Sequence, residues 1–261
     1  MEQELEVILL GVIQGLTEWL PISSTGHIEL AEIFLGLTLP LSFDVALHLG
    51  TLVVTAIFFR ADLKKILVAL MGLDFKSWGG IMLKRIIASS IPTAIIGLSV
   101  AKILEVSFRE VIPLAVAFII SGLTVYLSKI GRNVKSYVDY KSAIIIGIAQ
   151  GFSIVPGLSR SGLTIAVALL LGIKREEAFK FSFLLSIPAV LGALVVTLYA
   201  QYDVLLAAGV GWADLFGGVL VSMLLGYASL KLLRRALHNF HVFAFYSLSL
   251  GLFLIAASAL I

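Results

Sequence analysis

Apolar residues run through the chain in long blocks, and the polar positions collect in a few islands within and between them. Residues 5–19 predict a helix that Pro21 and the run Ser23-Ser24-Thr25-Gly26 interrupt before it could cross about 30 Å of hydrocarbon. A second short apolar helix is predicted at about 28–36. The pair reads as a re-entrant hairpin, whose irregular tip is tolerated at membrane depth only within protein or beside a wet cavity; one broken span is the plainer alternative. Three segments of spanning length follow at roughly 42–59, 86–101 and 111–128, with an amphipathic interfacial loop over 60–85 that carries Lys64, Lys65, Lys76 and Lys84. A second hairpin is predicted over about 142–172, broken at Pro156-Gly157, and then three more spans at roughly 178–199, 213–231 and 241–260. The pattern is that of an all-α integral membrane protein with six full transmembrane helices plus two re-entrant helical hairpins.

The two hairpins are diverged copies of each other. Positions 11–36 and 147–172, compared without a gap at an offset of 136, share Gly11, Gln14, Gly15, Ser23, Gly26, Leu35 and Gly36. They differ where chemistry would differ: Glu18 faces Ile154, Ser24 faces Arg160, and His27 faces Leu163. The expected organisation is one membrane domain over 1–261, built from repeats at about 1–130 and 137–261. Each repeat holds one hairpin and three spans, and an odd number of crossings makes the two insert in opposite orientations.

Composition agrees with the pattern. At 60% hydrophobic and 13% charged residues, with a mean hydropathy of +1.08, the chain is too oily for a water-soluble fold, whose surface needs about twice that share of charge. The acidic start Met1-Glu2-Gln3-Glu4-Leu5-Glu6 is unlike the basic opening of a signal peptide, so the first helix is expected to stay in the protein. With no cysteine, disulfides, thiolate catalysis and Cys-based metal sites are excluded. The segments 60–85, 129–180 and 231–241 hold 17 of the 19 lysines and arginines, and only Lys102 and Arg109 fall on the other side. Such a bias predicts a multi-pass protein of the cell membrane with both termini outside. The first hairpin then opens to the external face, and the two polar tips can meet inside the bilayer.

The tips pool Gln14, Glu18, Ser23, Ser24, Thr25 and His27 with Ser159, Arg160, Ser161 and Thr164. A guanidinium, clustered hydroxyls and glycine-freed amides at a helix start make a receptor for phosphate. Glu18 and His27 offer a base and an acid, and a serine among them could be a nucleophile. Gln14 and Glu18, four residues apart on one helix face, could help hold a hard cation such as Mg²⁺ or Ca²⁺. Plainer roles compete: hydroxyls in membrane helices often bond to backbone, Glu18 and Arg160 could be a structural ion pair, and His27 an interfacial histidine. Asp44 and His48 read as a supporting pair, and Trp19, Trp78 and Trp212 as interface anchors.

Gln14-x-x-x-Glu18, Pro21-Ile22-Ser23-Ser24-Thr25-Gly26-His27 and Pro156-Gly157-Leu158-Ser159-Arg160-Ser161-Gly162-Leu163-Thr164 resemble the signature motifs of the undecaprenyl-diphosphate phosphatase family linked to bacitracin resistance. The likeness extends over nearly the whole chain. The resemblance implies a phosphatase that removes one phosphate from a C55-type polyprenyl diphosphate with the help of a divalent cation, regenerating the lipid carrier for cell-envelope glycans. It implies Glu18 as the catalytic glutamate, Ser24 as the serine nucleophile, His27 as the histidine and Arg160 as the phosphate-binding arginine. The first position of the acidic pair, often Glu in the family, is Gln14 here. The partners implied are the lipid substrate and the bilayer, with no nucleic acid. The acid-phosphatase-like lipid phosphatases do not fit: their histidine and aspartate after Ser-Arg are Ala166 and Leu170 here.

On these expectations Ser24 attacks the terminal phosphorus, with His27 or Glu18 taking its proton, or a water activated by the same pair attacks instead. Inverted repeats with broken helices are also the build of many secondary transporters. A transporter or flippase of a phosphorylated polyprenyl lipid is therefore the rival expectation.

Overall fold

A computed structural model describes residues 2–36, 41–107, 110–200 and 212–259; the side chains of 2–5, 41–45, 102–107 and 212–214 lie outside that description. Asp44 and Trp212 are among those side chains, and Lys102 and Arg109 are likewise not described.

The described residues form helices α1 (Glu2–Thr17), α2 (Ser24–Leu35), α3 (Leu41–Phe58), α4 (Arg60–Met71), α5 (Trp78–Ser107), α6 (Val111–Leu127), α7 (Tyr140–Phe152), α8 (Arg160–Leu170), α9 (Arg175–Ala200), α10 (Trp212–Ala236) and α11 (Phe243–Ser258). No strand occurs among them; Lys135 and Ile173 alone make a parallel bridge, which ties the segment after α6 to the α8–α9 turn. Four stretches are long and apolar enough to cross a membrane: Trp78–Ala101, Val111–Ile130, Arg175–Ala200 and Leu215–Ser258. The last combines α10 and α11 across a kink at Asn239. The loop expected over 60–85 is instead α4 followed by the first turns of α5, which begins eight residues earlier than hydropathy suggested.

Lipid takes the place of water around these helices. On α6, Ile112, Val116, Ile120, Leu123 and Leu127 are exposed along one face, while Leu114, Ala115, Phe118 and Val125 are buried on the other. In water such a surface would be an aggregation liability.

The repeated positions turn out to be architectural. A Cβ on Gly11 would lie 2.6 Å from the Gly218 carbonyl oxygen, and one on Gly15 2.8 Å from that of Ser222, so α1 meets α10 backbone to backbone. The copies Gly147 and Gly151 bring α7 equally close to Ser89 and Ile96 of α5. Ser23 and Ser159 cap α2 and α8, accepting from the amides of Gly26 and Gly162 at 3.3 and 3.0 Å. Gly36 and Gly172 take the left-handed conformation that ends each helix. Asp139 caps α7; the Ser142 amide and Lys135 hold its carboxyl down at about 2.

Candidate functional site

The site forms where the α1–α2 turn meets the α7–α8 turn. Gly26 and Gly157 make that approach possible: a Cβ on Gly26 would come within 2.9 Å of Gly157 backbone and 2.6 Å of the Phe118 ring. Gly157 itself has φ 91°, a conformation open to glycine.

Glu18 is the hub. It follows the last turn of α1, its amide still bonded to the Gln14 carbonyl at 2.9 Å, and its side chain is buried. Its Oε1 accepts from Arg160 Nη2 at 2.7 Å across the two turns. Its Oε2 accepts from Ser24 Oγ at 2.5 Å and from Gln14 Nε2 at 3.3 Å, and lies 3.4 Å from His48 Nε2. Among the described residues, two buried polar atoms around it have no partner: Gln14 Oε1 and Arg160 Nη1. A buried donor without an acceptor is costly, and the N–H groups of a guanidinium suit an anionic oxygen.

The guanidinium is held in place by aromatic faces, 5.2 Å above the Trp19 ring and 5.7 Å from that of Phe183. Trp19, expected as an interface anchor, is 1% exposed; its indole belongs to the packed aromatic group of Phe59, Phe179 and Phe183. A buried cation needs a polarisable floor, and that need overrides the interfacial preference of tryptophan. Trp78, by contrast, is half-exposed and flanked by Lys65 and Lys180.

The hydroxyls divide by position. Ser24 opens α2 and points at Glu18, whereas Ser23 uses its hydroxyl as the cap, with Thr25 Oγ1 at 3.4 Å. Ser159 and Ser161 lie 3.3 Å apart, and Ser161 reaches the Leu20 carbonyl of the opposite turn at 3.3 Å. Thr164 faces α9: its hydroxyl donates to the Arg160 carbonyl at 2.8 Å and meets Ser182 at 2.5 Å, one turn behind the other hydroxyls.

Ser23 has φ 68° and ψ 95°, a strained backbone for a residue with a side chain, while its copy Ser159 is relaxed at φ −78°. His27 restrains the strained turn: its Nδ1 meets the Ser23 carbonyl at 2.6 Å, and its backbone amide the same oxygen at 3.2 Å. A carbonyl only accepts, so Nδ1 carries the hydrogen. In the neutral ring Nε2 then accepts from the Tyr246 hydroxyl, 2.7 Å away on α11, and the two rings stack. Both His27 nitrogens are thus engaged away from Ser24. Tyr246 escaped the sequence reading because a tyrosine among apolar residues carries no pattern; His48 appeared there only beside Asp44. No group of three or more His, Asp or Glu side chains converges as a metal cage among the described residues.

Comparison with known proteins gives the family. Residues 7–253 match the family model described as bacitracin resistance protein BacA. A protein of Carboxydothermus hydrogenoformans named undecaprenyl-diphosphatase is 40% identical over 262 residues, covering 97% of each chain. Proteins of the same name from Methanosphaera stadtmanae and Rubrobacter xylanophilus are 36% and 38% identical, covering 98% and 96% of this chain and 99% and 97% of their own.

Proposed function

The chain belongs to the bacitracin resistance protein BacA family, and from that membership we propose that it is a membrane phosphatase hydrolysing a polyprenyl diphosphate of the undecaprenyl type to the monophosphate and inorganic phosphate. The observation that carries this reading is Ser24 Oγ held 2.5 Å from the Glu18 carboxylate, beside an Arg160 whose Nη1 is buried without a partner. A nucleophile on its base next to an open oxyanion donor is what phosphoryl transfer needs. A lipid transporter has no use for the first of these, so transport is not favoured.

In this reading the terminal phosphate docks on Arg160 Nη1 and the Ser159 and Ser161 hydroxyls. The Ser24 oxygen bonds to the terminal phosphorus as the bridging P–O bond breaks, and its proton passes to Glu18 and on to the departing lipid monophosphate. Water then attacks the phosphoserine phosphorus and gives a proton to Glu18; the bond between that phosphorus and the Ser24 oxygen breaks, the proton passes from Glu18 to Ser24, and inorganic phosphate leaves. Water attacking directly from the same carboxylate gives the same products. Gln14 Oε1, buried and without a partner among the described residues, and the Glu18 carboxylate are the groups that would hold a divalent cation. One carboxylate plus substrate oxygens is a familiar Mg²⁺ set, and the ion supplies charge neutralisation on the diphosphate. Thr164 serves helix packing, and Ser23 and Thr25 shape the turn.

The finer topology belongs to the same proposal: six full spans, two re-entrant hairpins in inverted repeats, and a site opening outside. Its support is reciprocal packing. The first hairpin helix of each repeat packs against a late helix of the other, α1 on α10 and α7 on α5, each through its own pair of glycines.

The direct test is phosphate release from a C15 or C55 prenyl diphosphate by the detergent-purified protein with Mg²⁺ or Ca²⁺, beside Ser24→Ala at equal folded yield. The parent is expected to release phosphate and Ser24→Ala to lose on the order of a hundredfold or more. A folded parent that binds the lipid and releases nothing overturns the reading.

Tyr246 is a positioning residue here, because it holds His27, which holds the Ser23 turn that aims Ser24. Tyr246→Phe keeps the stacked ring and removes the hydroxyl. It is expected to lower kcat by about tenfold with KM nearly unchanged, a split that marks an interaction used only in the transition state. Equal losses in the folded fraction and the activity would reduce Tyr246 to packing.

A further inference from the structure

A second polar concavity shares no lining residue with the tips. It has a volume of about 610 Å³ and sits between the α3–α4 junction, the start of α9 and the last turns of α10. Arg60, Lys231, Arg234 and Arg235 line it, and Glu176 is the one acid among the described residues of its wall. Lys231, Arg234 and Arg235 stand at i, i+3 and i+4, so they share one helix face. Among the described residues, none of these four cations has a carboxylate within ion-pair distance.

Aromatic rings hold two of them instead. Lys231 Nζ lies 4.4 Å from the centre of the Tyr227 ring, and Arg234 lies 5.6 Å from that of Phe58. A cation on a ring face keeps its N–H groups available, so the concavity presents donors and an excess of positive charge to whatever enters.

An apolar lane leads out of it along α10. Phe216, Leu220, Leu224 and Tyr227 are all exposed at spacings of four, four and three, on the face that ends at Lys231. Charge at one end and an oily track at the other fit an amphiphile, and a free anion has no use for the track.

We propose that this concavity binds the phosphate-bearing headgroup of an anionic membrane lipid, whose tail lies along Phe216, Leu220 and Leu224. The volume falls within the range of small-molecule sites, and a basic pocket between membrane helices suits a phosphodiester. The proposal is independent of the catalytic reading, because it uses neither turn.

Native mass spectrometry of the full chain tests it, with phosphatidylglycerol, phosphatidylcholine and inorganic phosphate as probes. The parent is expected to retain one phosphatidylglycerol per chain in preference to phosphatidylcholine. The exposed triple variant Lys231→Gln/Arg234→Gln/Arg235→Gln should weaken that binding tenfold or more, and Arg235→Gln alone should weaken it in the same direction. Lys64→Gln/Lys76→Gln/Lys141→Gln, which removes equal charge elsewhere, should change it less than twofold. Equal weakening in both triples would reduce the effect to general surface charge and overturn the site. So would loss of the lipid in Arg160→Lys, which would move binding to the tips, or displacement of the lipid by inorganic phosphate at equal concentration.

Discussion

Glu18→Gln is expected to lower phosphate release by on the order of a thousandfold, the middle of the range for removing a positioned general base. Glutamine has nearly the shape of glutamate but a single acceptor oxygen, so it can keep the Arg160 bond now made to Oε1 while its NH₂ faces Ser24, and it cannot take up the serine proton. The loss should fall on kcat. Substrate affinity should hold or improve, since the phosphate on Arg160 Nη1 no longer meets the negative charge of the carboxylate that Nη2 holds at 2.7 Å. The same substitution leaves Arg160, largely buried, without the carboxylate it pairs with. Breaking a buried pair from one side costs about 3–5 kcal/mol, so the thermal midpoint should drop and be partly restored by added pyrophosphate. A folded Glu18→Gln protein that keeps more than a tenth of parental kcat would remove Glu18 from the proton-transfer step.

The internal duplication separated scaffold from chemistry before any coordinates. Gly11, Gly15, Ser23, Gly26 and Gly36 recur because both halves need the same close helix approach, the same cap and the same left-handed stop. Gln14 shows the cost of divergence: its amide reaches Glu18, whereas the copy Gln150, four residues before Ile154, is buried with neither amide atom partnered among the described residues. Glu18, Ser24 and Arg160, all at positions where the copies differ, are the groups that converge. What stayed hidden depends on contacts far apart in sequence. Tyr246 lies 219 residues from His27, and the burial of Trp19 follows from the cation laid over it, which no periodicity encodes. Hydropathy placed the apolar blocks and missed helix starts such as Trp78, because polar turns of a helix that project beyond the apolar block read as loop.

Arg160→Lys should lower kcat/KM by on the order of a hundredfold to a thousandfold, and it separates a phosphate receptor from a counter-ion. In the proposed reading Arg160 performs two tasks through one planar group: Nη2 holds Glu18 at 2.7 Å, and Nη1, without a partner among the described residues, takes the phosphate. Lysine offers one compact charge in place of a fork, and its ammonium cannot lie flat between Trp19 and Phe183. It can neutralise Glu18 or reach the phosphate, but not in the geometry that does both. The pair as a counter-ion would survive the change, so stability should move little while KM rises and kcat falls, as expected for an oxyanion donor. Because Glu18 and Arg160 act as one unit, Glu18→Gln/Arg160→Lys should be little worse than Glu18→Gln alone, a non-additivity that independent sites do not show. If Arg160→Lys stays within threefold of the parent in both constants, Arg160 is a structural partner of Glu18 and the phosphate must dock elsewhere.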